Sequence, residues 1–175
     1  MIDFMVIGLP RSGTTWAANW LTTDATHCVH DPLYTTHYKD WDVLLPHRAP
    51  GRSVGVSCTG IWRWPEWLNG HPARKVILHR DVNEVRQSLA DIGLPPIERT
   101  AAQQLGEIQG LHVPYTDLFD PSRAHVIWSY LTDRPFNIAR HREISAIEMQ
   151  PEFSGLSVGH EVTRRLMEEI SRAFR

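Results

Sequence analysis

Short unbroken apolar runs alternate along this chain with longer stretches whose apolar residues return every three to four positions. Phe4, Met5, Val6 and Ile7 form the first such run, and Gly8 ends it. A short continuous apolar run bounded by a glycine suits a strand covered on both faces. After the loop Leu9-Pro10-Arg11-Ser12-Gly13, the residues Trp16, Ala17, Trp20 and Leu21 fall at i, i+1, i+4 and i+5, which predicts an amphipathic helix. Thr26 to His30 reads as a second strand, ending at Asp31-Pro32, which stops regular structure. Ser53 to Cys58 reads as a third strand. Arg74 to Arg80 reads as a fourth, basic at its start and continuously apolar in the middle. Asp81 opens a helix that runs to about Asp91, with Val82, Val85 and Leu89 as its apolar face. His112 to Tyr115 reads as a fifth strand. Helices are also expected over Pro65 to Asn69, within Pro95 to Gln109 (Ile97, Ala101, Leu105, Ile108), over Ala124 to Leu131 and over Phe136 to Met149. Val158, Val162, Leu166, Ile170 and Phe174 predict a final amphipathic helix. Tyr34 to Leu45 is polar and aromatic, a helix or a lid-like segment closed by a loop from Pro46 to Gly51.

Strands alternating with helices predict one α/β domain over residues 1–175, with a parallel five-stranded sheet and helices on both faces. Composition changes little in this picture. Apolar content of 42% and charged content of 22% are ordinary for a globular protein. A net charge of −2 gives no general attraction to nucleic acid. No apolar run approaches the roughly 20 residues of a membrane span, and no basic stretch followed by an apolar one opens the chain, so a cytoplasmic location is expected. Cys28 and Cys58 sit in apolar strand-like runs and are expected to be reduced core thiols. The ten histidines show no metal-ligand spacing, so no metal site is expected. Core packing is the expected role for most of the seven tryptophans; Trp62, Trp64 and Trp67, crowded into one segment, could alternatively wall a ligand site.

The candidate chemistry lies in the first loop. A helix start offers backbone N–H groups without internal partners and the positive end of the helix dipole, so it attracts a phosphate or sulfate. Gly13 allows close approach of that anion, and the Ser and Thr hydroxyls add donors. The spacing Gly8-x-x-x-x-Gly13 is that of a nucleotide-triphosphate P-loop, which continues with Lys and then a magnesium-holding Ser or Thr. Here Thr14 stands in the Lys position, and Arg11 is the long cation of the loop. In an open parallel sheet, ligands sit beyond the carboxyl ends of the strands, so His30 and Asp31 are expected on the same rim. Either could accept a proton there, or Asp31 could cap the turn that follows it.

Pro10 to Trp16 resembles, without a gap, the 5′-phosphosulfate-binding loop of the sulfotransferases, Pro-(Lys/Arg)-Ser-Gly-Thr-Thr-Trp. The resemblance implies that the loop wraps the 5′-phosphate and sulfonate of 3′-phosphoadenosine 5′-phosphosulfate (PAPS). Arg11 would touch the oxygen bridging phosphate and sulfur, Ser12, Gly13, Thr14 and Thr15 would cradle the anion, and Trp16 would pack near the adenine. Sulfotransferases also place an Arg at the end of the fourth strand and a Ser eight residues later to hold the 3′-phosphate; Arg80 and Ser88 have that spacing. Alternatively Arg80 pairs with Asp81 or Glu84. Asp31-Pro32 resembles the Glu-Pro pair of many bacterial members, whose acid is taken as the base. A fifth strand followed by Tyr-x-Asp-Leu, here Tyr115 to Leu118, also recurs in the family. Departures are clear: Thr59-Gly60-Ile61-Trp62 lacks the Lys and His found in animal enzymes, and no Arg-Lys-Gly stretch is visible near the C-terminus. The adenine is therefore expected to be held differently, or in a site lacking that part.

The reading reached is a P-loop-type three-layer sandwich with strand order 2-3-1-4-5, by analogy with P-loop kinases. The implied activity moves the sulfuryl group from PAPS to a hydroxyl or amine of a small-molecule or glycan acceptor, leaving 3′-phosphoadenosine 5′-phosphate. Arg11 would stabilise charge on the leaving phosphate, and Asp31 or His30 would take the acceptor proton. The alternatives are a P-loop kinase or nucleotide hydrolase, and a non-catalytic nucleotide-binding protein of the same fold.

Overall fold

The structure, a computed structural model, describes residues 1–147. Its strands are β1 (Phe4–Gly8), β2 (Thr26–His30), β3 (Ser53–Cys58), β4 (Arg74–His79) and β5 (Leu111–Pro114). Its α-helices are α1 (Thr14–Trp20), α2 (Trp41–Leu44), α3 (Pro65–Gly70), α4 (Val82–Ala90), α5 (Ala101–Gly106), α6 (Pro121–Leu131) and α7 (Ile138–Ser145). All strand pairs are parallel, in the order β2-β3-β1-β4-β5 expected from the sequence. β1 therefore lies in the middle of the sheet, and its exit loop is flanked by the ends of β3 and β4.

The continuous apolar strands are explained by two cores, one on each face. Successive strand residues point to opposite faces. Phe4 and Val6 pack with Trp16, Trp20, Val76 and Leu78 beneath α1, α6 and α7. Met5 and Ile7 pack with Trp41, Val54, Val56, Trp62, Val85 and Leu105 on the other side. Gly55 pairs with Phe4 across β1 and β3, and the Phe4 ring occupies the space a Cβ there would need. The longer helices start where side chains satisfy their free N–H groups: Asp81 on α4, Asp120 on α6 and Asn137 on α7.

Three expectations are refined. Tyr34 to Leu45 is neither a single helix nor a regular element: it is a pair of 3₁₀ turns, Pro32–Tyr34 and Tyr38–Asp40, leading into the single turn of α2. The helix expected within Pro95 to Gln109 begins only at Ala101, because the Pro95-Pro96 pair removes donors; Ile97 is still buried in the core from outside the helix. The helix expected over Phe136 to Met149 spans Ile138–Ser145. The expected final helix, Val158 to Phe174, lies outside the described residues.

Candidate functional site

β1 delivers the glycine loop to the carboxyl rim of the sheet, and two left-handed residues shape it. Arg11 has φ 65° and Gly13 has φ 81°. Gly13 followed by helical Thr14 turns consecutive N–H groups toward a common side, the arrangement of backbone anion sites. The Ser12 N–H bonds back to the Leu9 carbonyl at 3.2 Å. Among the described residues, the N–H groups of Gly13, Thr14 and Thr15 have no acceptor outside a helix. The Ser12 hydroxyl is fully buried and also lacks a partner. A buried unpaired hydroxyl costs about 1–3 kcal/mol, a penalty that a ligand oxygen in the loop would relieve. A Cβ on Gly13 would stand 2.9 Å from the Leu118 methyl, so the position needs glycine for space as well as for φ.

The left-handed backbone of Arg11 costs about 1–2 kcal/mol for a residue with a Cβ. Two contacts from β4 and α4 hold it. The Arg80 guanidinium donates through Nη1 to the Arg11 carbonyl, and the Arg11 Nε–H donates to Ser88 Oγ at 3.0 Å. Arg80 is held in turn by Glu84 (3.3 Å, one helical turn on) and by the Tyr115 ring, 4.8 Å below its guanidinium carbon. Arg11, Arg80 and Ser88 thus meet although 77 residues separate the first from the last. The sequence alternative of an Arg80–Glu84 pair is realised, and it leaves Arg80 on the rim.

On the other side of the loop stand His30 and Asp31. The Asp31 N–H continues the parallel ladder to the Ser57 carbonyl at 2.8 Å. Its own φ of 43° then turns the chain into Pro32. Its carboxylate does not cap the following turn. Instead it accepts from the Thr59 N–H at 2.6 Å and from the Thr59 hydroxyl at 3.0 Å, tying the end of β2 to the end of β3. His30 Nε2 lies 3.2 Å from Thr15 Oγ1, 3.4 Å from Thr14 Oγ1 and 3.4 Å from Asp31 Oδ2. One ring nitrogen thus bridges the loop hydroxyls to the carboxylate.

The rim gathers Arg11, Ser12, Gly13, Thr14, Thr15, His30, Asp31, Arg80 and Ser88. Trp16, on the first turn of α1, is buried among Trp20, Phe119 and His141, with ring centres 5.2–5.3 Å away. Asp81 follows Arg80 but spends its carboxylate on the N–H groups of Asn83 and Glu84. Cys58, at the end of β3, has its thiol pushed up to about 12, first by burial, so it is no nucleophile at neutral pH. Both cysteines are free and buried, as expected.

A cleft of about 310 Å³ opens beside the loop, lined by Pro10, Asp31, Leu33, Tyr34, Thr59, Gly60, Arg63 and Trp64. The aromatic segment is split between core and surface. Trp62 is core, Trp67 packs against the core, and Trp64 is 38% exposed at the cleft. Thr59 as the partner of Asp31, and Arg63 as a cation at the cleft, went unrecognised in the sequence; the crowding of tryptophans around Arg63 was the one available signal. No protein-family model, curated protein or solved structure matches the chain.

Proposed function

We propose that this chain is a sulfotransferase that moves the sulfuryl group of PAPS to a hydroxyl or amine. The observation that carries the reading is the convergence of Arg11, Arg80 and Ser88 beside a loop whose Ser12 hydroxyl is buried without a partner. Two cations and unspent donors on one rim suit a ligand with separate anionic groups. The donor set fits PAPS: Ser12 and the free N–H groups of Gly13 to Thr15 would hold the 5′-phosphosulfate end, and Arg80 with Ser88 the 3′-phosphate. PAPS would supply an activated sulfuryl group, whose bond to the 5′-phosphate oxygen breaks as the acceptor oxygen bonds to sulfur.

Arg11 would then leave Ser88 for the bridging oxygen and neutralise charge as it builds on the leaving phosphate. Asp31 and Pro10 line the same cleft, and Asp31 would take the proton of an acceptor bound there. His30, against Asp31 and the two threonines, is the other candidate. A magnesium–triphosphate reading is less well supported: the loop carries Thr14 for Lys, and the carboxylate of Asp81 is used as a helix cap.

The test is transfer of labelled sulfur from PAPS across a screen of phenols, sugars, amines and lipids. A labelled acceptor, lost in Arg11→Ala, is the expected result. Hydrolysis of ATP with magnesium and no transfer would overturn the reading.

A further inference from the structure

The cleft beside the loop is lined by two kinds of group. Asp31 and Thr59, bonded to each other, line it together with Pro10 of the loop. The walls are apolar: Pro10, Leu33, Tyr34 and the exposed edge of Trp64. Arg63 also lines the cleft. Its guanidinium carbon lies 4.3 Å over the ring of the buried Trp62, which fixes its position. Its Nη1 stands 3.8 Å from where a Cβ on Gly60 would be, an ordinary contact distance. Its Nη2 faces Glu98 at 3.7 Å, a pair between half-exposed groups that contributes little. Among the described residues its side-chain N–H groups donate no hydrogen bond at normal length. A planar fork of donors, stacked and held in a cleft with apolar walls, matches a carboxylate.

The volume sets the size. About 310 Å³ is at the small end for ligand sites, room for one ring and a short chain but not for an extended glycan. We propose that the cleft takes a single-ring hydroxy acid, its ring between Leu33, Tyr34 and Trp64, its anionic group on Arg63 and its hydroxyl toward Asp31. The orientation of the hydroxyl rests on the sulfuryl-transfer reading; the recognition of the anion by Arg63 does not. An amine in the cleft would meet the Arg63 charge, and a neutral ring would leave the guanidinium with only its long, exposed pair to Glu98.

Three matched ligands test this: para-hydroxyphenylpropionate, its primary amide, and tyramine. Their binding is measured by calorimetry on the full chain, with 3′-phosphoadenosine 5′-phosphate titrated in parallel. The carboxylate should bind roughly ten- to hundred-fold tighter than the amide, the range for a hydrogen bond to a charged group, and tyramine most weakly. Arg63→Gln should erase the preference for the carboxylate while the amide keeps its affinity; Arg63→Lys should restore part of it. Equal binding of all three, a preference for tyramine, no binding of any, or an equal loss of all in Arg63→Gln would overturn the proposal. If the nucleotide binds while the charge preference is missing, the cleft proposal fails alone. If the charge preference is present and the nucleotide does not bind, the sulfuryl-transfer reading fails alone.

Discussion

Replacing Arg80 by alanine removes a residue that supports the loop and is proposed to bind ligand, and the structure allows the two effects to be sized separately. The charged hydrogen bond to the Arg11 carbonyl is of a kind that contributes about 1.5–3 kcal/mol. The stacking on Tyr115 adds about 0.5–1 kcal/mol. The pair with Glu84, exposed on the acidic side, adds at most about 0.5 kcal/mol. Arg80→Ala should therefore lower folding stability by about 2–4.5 kcal/mol and loosen the left-handed Arg11. A looser loop weakens every ligand that uses it, so adenosine 5′-phosphate should lose some affinity. 3′-Phosphoadenosine 5′-phosphate should lose a further roughly ten- to hundred-fold, because the charged contact to its 3′-phosphate goes as well. The assay is calorimetric titration of wild type and variant with both nucleotides, under conditions where urea curves show the variant folded. The informative quantity is the ratio of the two affinities. If that ratio is unchanged, Arg80 props the loop and does not read the 3′-phosphate, and the assignment is wrong.

Two further predictions concern the rim and its histidines. Asp31→Asn keeps the shape, and Asn tolerates the left-handed backbone. It should cut turnover by about 10²–10⁴ with nucleotide affinity held; if His30→Gln gives that pattern instead, the base is His30. Either variant is first compared in urea denaturation, since a loss confined to stability would mean that the Asp31–Thr59 tie serves only the fold. His79 Nε2 lies 2.7 Å from His112 Nδ1, and His112 Nε2 reaches the Ile108 carbonyl at 2.7 Å. Burial, and then the neighbouring His112, hold His79 below its ordinary value of 6.5. A histidine lowered in the folded state binds its proton better when unfolded, so its contribution is full above about pH 6.5 and is lost as pH falls below it. The urea midpoint should drop between about pH 7.5 and about pH 5.5, and His79→Gln should flatten that slope; an unchanged slope would contradict the assignment.

The central strands were legible because their runs are short and continuously apolar, as Phe4 to Ile7 and Val76 to Leu78 are. Arg80 at the end of the fourth strand and Ser88 on the following helix stood out through the resemblance to the sulfotransferase pattern, inside a strand and a helix read from the apolar positions. What these residues touch could not be read, because the Arg11–Ser88 contact depends on β1 and β4 being neighbours in the sheet. The same holds for Asp31, whose partner Thr59 comes from the adjoining end of β3. Local pattern offered a cap for Asp31, and tertiary placement overrode it. Tyr34 to Leu45 was not legible as a helix or a lid because it has no period of its own; its Tyr38, Trp41 and Leu45 are fixed by the core they meet. Trp16 is likewise claimed by the aromatic core beneath α1.

The central claim is that the rim recognises a nucleotide by its separate 3′- and 5′-anions and without a triphosphate–magnesium unit. Competing calorimetric titrations of 3′-phosphoadenosine 5′-phosphate and ADP, each with and without magnesium, test it most directly. The account predicts roughly ten- to hundred-fold tighter binding of 3′-phosphoadenosine 5′-phosphate, unchanged by magnesium, from the charged contacts of Arg80 and Ser88. Equal affinities for the two nucleotides, or ADP binding that depends on magnesium, would contradict it.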